Sequence, residues 1–325
     1  MSKALGLLSG GLDSTLAALT LKRQGVEVTA IAFVTPFFGA GRARKAAAAI
    51  DIPLIVSDIA DIHLEVLKDP RYGYGKNLNP CIDCHALMFR LAGERMEREG
   101  FDFLFSGEVL GQRPMSQNMT ALATVAKHSG LRDRILRPLS ARLLPITPME
   151  EAGLVDREQL LDIQGRSRRR QAELAKEWGL TDYPSSGGGC LLTEKSFIGR
   201  LKDLLSHHPG ATPVDVELLK LGRQFRLSPR AKLTLGRNLA DNEALKDLAR
   251  PVDTLLRAAD YSGPLGLVSG QPAEAELHLA GAIVAAYGKG QAEAELTILA
   301  QQEEEQQEFS VAPLDREGCR SLQVD

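Results

Sequence analysis

Residues 9–14 read Ser-Gly-Gly-Leu-Asp-Ser, set between the apolar run Leu5–Leu8 and a segment with leucines at helical spacing, Leu12, Leu16 and Leu19. Paired glycines let the backbone turn tightly and approach a ligand with no Cβ in the way. Ser9, Ser14 and Thr15 add hydroxyls beside the unpaired N–H groups that open a helix, so the turn predicts a cradle for an anion. A strand that enters such a turn and leaves as a helix commits this part of the chain to α/β layering, with the turn at the carboxyl edge of the sheet. Neither Gly-x4-Gly-Lys-Ser/Thr nor Gly-x-Gly-x-x-Gly occurs here, which excludes the Walker and Rossmann phosphate loops at this turn.

Strand patterns recur at Lys3–Leu8, Val26–Phe33, Leu54–Ser57, Phe103–Ser106 and Ile135–Arg137, with amphipathic segments between them. The alternation predicts a doubly wound, mostly parallel sheet over residues 1–140, with a ligand crevice that gathers Ser9–Ser14, Phe33 and Gly107–Glu108. Residues 141–206 read as a helical extension, with helices expected over Asp156–Ile163 and Arg168–Trp178, and a Ser/Gly-rich loop, Tyr183–Cys190. His207–Pro213 reads as a linker, and residues 214–325 as a smaller C-terminal α+β domain.

At 325 residues the chain is long for one ordinary core, which fits this division. No apolar run approaches the ~18 residues of a membrane span, and the first strand begins too early for an export signal, so a cytoplasmic protein without membrane association is expected. Charge is unevenly spread. Residues 220–257 hold nine Lys/Arg against four Asp/Glu, and residues 258–325 hold three against twelve. A polyanion-binding face and a salt-bridged surface both produce such counts.

Four cysteines in a long cytosolic chain point to metal ligands or reactive thiols rather than disulfides. Cys81 and Cys84 form Cys-x-x-Cys at a helix start, where the dipole is expected to lower the thiol pKa values. Cys190 stands in the later glycine loop, while Cys319 lies in the C-terminal domain, so three ligands with an open position is the simpler set. His85 follows Cys84 directly and reads as a packed residue more readily than as a fourth ligand.

The Ser9–Ser14 motif resembles the PP-loop of the ATP pyrophosphatase superfamily. Together with Asn79–Cys84, Ser106–Gln112 and the Cys190 loop, it is similar to the PP-loop tRNA thiouridine synthetases, the group of 4-thiouridine synthetase and tRNA 2-thiouridylase. The resemblance covers roughly residues 1–200 and implies an adenine nucleotide alpha hydrolase-like domain. It further implies ATP held by Ser9, Gly10, Gly11, Asp13, Ser14, Thr15, Phe33 and Gly107, with Mg²⁺ on Asp13. Asp13, Cys84 and Cys190 are then the expected catalytic residues. Where the cluster-free thiouridylase pattern has Asp, this chain has Cys81, which completes a set, Cys81, Cys84 and Cys190, like that of PP-loop thiolases holding a [4Fe-4S] cluster.

Residues 222 to about 315 resemble the NFACT-R RNA-binding module through Gly222–Arg226, Gly236-Arg237-Asn238, Asp241-Asn242-Glu243 and Ala249-Arg250-Pro251. The expectation is an ATP-dependent tRNA sulfurtransferase whose partners are tRNA and a sulfur donor, either hydrosulfide or a persulfide carrier, with a homodimer left open. Two alternatives stay open: a PP-loop ligase or amidating enzyme acting on a small metabolite, and a non-enzymatic RNA-binding protein with a vestigial loop.

Overall fold

The computed structural model describes residues 1–184 and 189–324. They divide into two compact units, Met1–Thr193 and Glu194–Asp325. In the first, β1 (Lys3–Leu7), α1 (Leu12–Lys22), β2 (Glu27–Val34), α2 (Gly41–Ala49), β3 (Leu54–Asp58), α3 (Ala60–Lys68), α4 (Cys81–Glu99), β4 (Phe103–Ser106), α5 (Met119–His128) and β5 (Ile135–Leu136) follow in order. The strands form one sheet, β3-β2-β1-β4-β5, and every pair is parallel. This is the doubly wound sheet expected from the alternation.

Its central strands are buried on both faces, so they read as continuous apolar runs. On one face Leu12, Leu16 and Leu21 of α1 pack with Phe103 and Phe105. On the other, Leu87, Phe89 and Met96 of α4 pack with Leu5, Ile31 and Leu104.

Two short helices, α6 (Pro148–Glu151) and α7 (Arg169–Glu177), complete this unit. Residues 141–175 do not stand apart, because Ala141, Met149, Val155, Leu160, Ile163 and Leu174 join the α1 core. The helix expected over Asp156–Ile163 is instead a single 3-10 turn, Arg157–Gln159, with the Asp156 side chain accepting from the Glu158 N–H. Beyond it the backbone pairs with the segment after β5: Leu161 N donates to Pro138 O (2.9 Å) and Ile163 N to Leu139 O (2.8 Å). Those bonds turn Leu160 and Ile163 inward without a helix.

The second unit runs α8 (Lys195–His207), α9 (Pro213–Leu218), β6 (Arg223–Ser228), β7 (Ala231–Leu235), α10 (Leu239–Leu248), β8 (Thr254–Ala258), β9 (Gly266–Gly270), α11 (Glu274–Ala286), β10 (Leu296–Gln302), β11 (Glu305–Val311), α12 (Arg316–Leu322) and β12 (Gln323–Val324). It forms a seven-stranded antiparallel sheet, β11-β10-β8-β9-β7-β6-β12, with Ile283 and Val284 of α11 in the core on one face. The expected linker His207–Pro213 is only the turn between α8 and α9, inside this unit. Asp203 of α8 explains why: it pairs with Arg226 (2.7 Å) and Lys232 (3.1 Å) on β6 and β7. The compact units therefore part at Thr193/Glu194.

Most of the basic tract is neutralised locally. Arg237 binds Asp241, Arg250 binds Asp215 and Asp253, Lys220 binds Glu217, and Asn238 caps α10 through the Asp241 N–H. No helix of the described residues is long and apolar enough to cross a membrane.

Candidate functional site

At the carboxyl edge of the parallel sheet lies a cavity of about 560 Å³, lined by Leu7, Ile31 and Phe33 of β1 and β2 and by Ser9, Gly11, Asp13 and Ser14 of the turn and helix that follow β1. The turn is held tightly. Gly10 has φ +75° and its Cα faces the α2 backbone so closely that a Cβ would lie 2.2 Å from the Arg42 carbonyl carbon. Gly107, after β4, would place a Cβ 2.4 Å from Ser14 Cα, so only glycine lets that strand end meet the start of α1.

Ser9, Gly11, Asp13, Ser14, Phe33 and Gly107 all line the cavity, whereas Gly10 and Thr15 do not. Gly10 serves the contact with α2. The Thr15 hydroxyl is spent on the Gly11 carbonyl at 3.0 Å, inside the first helical turn. Ser14 Oγ also donates to Gly11 O (2.9 Å) and sits 3.3 Å from Ser9 Oγ.

Asp13 is buried, and its two oxygens differ. Oδ2 accepts from Gln112 Nε2 (2.7 Å) and Arg168 Nη2 (2.9 Å), while Oδ1 has no partner among the described residues. Gln171 Nε2 in turn holds Gln112 Oε1 at 2.9 Å. A buried, unpartnered carboxylate oxygen beside an anion cradle fits a hard cation such as Mg²⁺. Arg168 went unread as a site residue in the sequence; the run Arg168-Arg169-Arg170 beside a predicted helix start was the only signal.

Cys81, Cys84 and Cys190 also line this cavity. Cys81 and Cys84 open α4, and Asn79 Nδ2 donates to Cys81 Sγ at 3.2 Å. Cys190 is brought in by its flanks: Leu191 N donates to Phe37 O (3.0 Å), and Asn77 Nδ2 to Thr193 O (3.0 Å). The remainder of the expected glycine loop, residues 185–188, lies outside the described residues. Cys319 is buried in the core of the second unit.

The expected lowering of thiol pKa by the helix dipole fails at Cys84. Burial, and then the neighbouring Cys190 and Cys81, push that thiol well above its usual value. Helix N-terminal stabilisation is small beside the cost of burying a thiolate. Cys84 Sγ lies 3.2 Å from His63 Nε2; His63 is fully buried between Phe37 and Phe38, and burial lowers its pKa to about 4.

Among the described residues no group of three His, Cys, Asp or Glu is gathered to hold a single metal ion. Three thiols that line one cavity are soft donors of the kind an iron–sulfur cluster takes.

His85 is not a spare ligand. Its Nδ1 lies 2.8 Å from Glu108 Oε1, and Glu108 Oε2 accepts from Arg137 Nε (2.9 Å) and Ser106 Oγ (3.1 Å). Burial alone would raise the Glu108 pKa, but Arg137 and His85 reverse this and hold it at about 2.

Residues 1–142 match the family model described as thiamine biosynthesis protein (ThiI), and residues 222–321 match the NFACT protein RNA binding domain. The chain is 25% identical to the tRNA-specific 2-thiouridylase MnmA of Nocardioides sp., over 74% of this chain and 70% of that protein. It is 27% identical to the protein of the same name from Acidothermus cellulolyticus, over 72% and 68%. A 4-thiouridine synthetase solved as an RNA complex with bound ATP aligns with 23% identity and a TM-score of 0.39, covering 55% of this chain and 41% of that one. The first unit of the chain is thus similar to the PP-loop tRNA thiouridine synthetases, and its C-terminal region to the NFACT RNA-binding domain.

Proposed function

We propose that the protein is an ATP-dependent tRNA sulfurtransferase acting on a uridine. The observation that carries this reading is that the Ser9–Ser14 cradle and the thiols of Cys81, Cys84 and Cys190 share one cavity. A cradle alone suits many ligases, and three thiols alone suit many redox sites. Phosphate chemistry and sulfur chemistry within reach of one ligand suit replacement of an oxygen by sulfur.

In this reading a uracil carbonyl oxygen attacks the α-phosphorus of ATP and pyrophosphate departs. The carbonyl oxygen, a poor leaving group, leaves with AMP when sulfur adds to the carbon. Ser9, Ser14 and the N–H groups at the start of α1 hold the phosphates and stabilise the charge that develops on them. Asp13 would hold Mg²⁺, which supplies charge neutralisation on pyrophosphate. Arg168 adds a guanidinium beside the same carboxylate.

Cys81, Cys84 and Cys190 would hold the [4Fe-4S] cluster, which supplies an iron site for hydrosulfide. Without it, Cys190 carries a persulfide and Cys84 closes a disulfide on it, as two-cysteine chemistry requires. The second unit, through its NFACT-like region, positions tRNA. A cytoplasmic location goes with this reading.

The test is nucleoside mass spectrometry of tRNA from a strain lacking the protein, complemented with wild type or with Asp13→Asn. Loss of one thiouridine, restored by wild type only, is expected. Unchanged thiouridine content, or pyrophosphate release by the purified protein that needs no tRNA, refutes the reading and favours a small-metabolite ligase.

A further inference from the structure

Asp13 is 9% exposed and lines the cavity, and the donors around it are placed unevenly. Gln112 Nε2 at 2.7 Å and Arg168 Nη2 at 2.9 Å both meet Oδ2. Oδ1 has no partner among the described residues. Two amides stand behind this asymmetry. Gln112 turns its Nε2 to the carboxylate, so its Oε1 faces away, where Gln171 Nε2 holds it at 2.9 Å. A carboxamide has one donor end and one acceptor end, so fixing one end of Gln112 fixes the other. Gln171 is fully buried on α7, and its own Oε1 is left without a partner among the described residues. An unpaired buried acceptor costs stability, so an apolar side chain of the same length would serve packing better at this position.

The two glutamines are themselves held by the surrounding chain. Gly165 N donates to Leu110 O at 2.7 Å, which ties the turn carrying Gln112 to the segment that leads into α7. Leu174 and Ala175 of α7 pack in one core with Leu12 and Leu16 of α1, the helix that carries Asp13. Neither Gln112 nor Gln171 is among the residues that line the cavity. Whatever they do for a ligand, they do through Asp13.

We propose that Gln112 and Gln171 are positioning residues that present Asp13 Oδ1 to the divalent cation of the nucleotide. The assignment rests on the ATP half of the sulfurtransferase reading and does not involve tRNA. A single donor would let the carboxylate turn about it. Two donors on the same oxygen, one of them backed by α7, hold it in one orientation and leave the other oxygen for the cation. A neutral amide suits this task, because it fixes the carboxylate without adding a second positive charge beside the cation.

The test uses the full chain and α,β-methylene-ATP, whose α–β bridge is not cleaved, with Mn²⁺ as the cation. Calorimetry in EDTA gives the affinity for the metal-free nucleotide. Loss of the free Mn²⁺ electron paramagnetic resonance signal gives the affinity for the metal in the protein–nucleotide complex. In Gln171→Met the first should stay within about twofold of wild type while the second weakens about tenfold, as loss of an outer partner of a metal ligand does. Gln112→Met should weaken metal binding at least as much, and the double variant no further than Gln112→Met, because the two amides act in series. Either single variant carries the test if the other does not fold.

Wild-type Mn²⁺ affinity in Gln171→Met overturns the proposal. So does an equal loss for the metal-free nucleotide, which would make the network part of the fold alone, and so does a double variant that shows the product of the two single effects. Wild-type protein that binds the nucleotide equally with and without Mn²⁺ overturns it too. If Mn²⁺ binding falls as expected while the thiouridine content of tRNA does not depend on the protein, the sulfurtransferase reading falls and the positioning role stands.

Discussion

Arg137 and Glu108 form a buried ion pair, and Arg137→Met tests what the pair contributes. The substitution keeps an unbranched apolar stem and removes the cation, so burial acts on Glu108 with only His85 to oppose it. Stripping one partner from a buried pair typically costs about 3–5 kcal/mol. An independent figure comes from linkage. Holding the carboxyl at about 2 instead of its ordinary 4.5 corresponds to about 3 kcal/mol, with the charge of Arg137 the largest single cause of the lowering and His85 the next. This stabilisation is present above pH 4.5 and is lost as the pH falls toward about 2. Trp178 is the single tryptophan and packs against the core of the first unit, so its fluorescence in urea follows that unit without the second. Arg137→Met should lose about 3 kcal/mol at pH 7, and adding Glu108→Gln should recover more than half, because no buried charge is left unpaired. A loss under 1 kcal/mol, or a double variant no more stable than the single, would refute the argument.

The thiol assignment predicts that protein reconstituted anaerobically with iron and sulfide is brown, and that Cys81→Ser, Cys84→Ser and Cys190→Ser each lose the colour while Cys319→Ser keeps it; sulfur transfer that survives Cys81→Ser but not the other two would replace the cluster with a persulfide. Gly10→Ala should cost at least about 2 kcal/mol by the Trp178 assay and weaken ATP binding, since it combines a positive φ with a Cβ against backbone; a change within 0.5 kcal/mol would remove the packing role. In the second unit Arg257 is exposed and unpaired among the described residues. Arg257→Ala should therefore lower the salt slope of tRNA binding by about 1, and Arg237→Ala, whose guanidinium is held by Asp241, by less; equal effects would assign both to the RNA face.

The parallel sheet was readable because strands buried on both faces are apolar throughout, and each one ended at a turn with its own signal. Asp156–Ile163 was misread for a physical reason. Apolar residues at 160, 161 and 163 satisfy a helix and an extended edge alike, and the deciding bonds go to Pro138 and Leu139, outside the local pattern. The anion turn was visible as a motif, but the different duties of its residues were not. That Gly10 answers to Arg42, and Thr15 to Gly11, depends on where α2 packs and where the hydroxyl rotates. The His85–Glu108–Arg137 set is assembled from positions 23 and 29 apart, on three elements, so no spacing rule connects them. The basic tract was visible as a count, whereas its neutralisation by Asp203, Asp215, Asp241 and Asp253 appears only once the turns are closed.

Strand β11 is the outer strand of the second sheet, paired among the described residues only with β10, and its residues Glu305, Gln306, Gln307 and Glu308 are exposed, following Glu303 and Glu304 at the hairpin turn. An outer strand with a free row of backbone donors and acceptors is a template onto which another chain can zip. Here any second copy that docks on this edge brings its own Glu303, Glu304, Glu305 and Glu308 toward these. Replacing the glutamates of this hairpin by glutamine is therefore expected to leave the fold intact while making the concentrated protein more prone to associate through this edge.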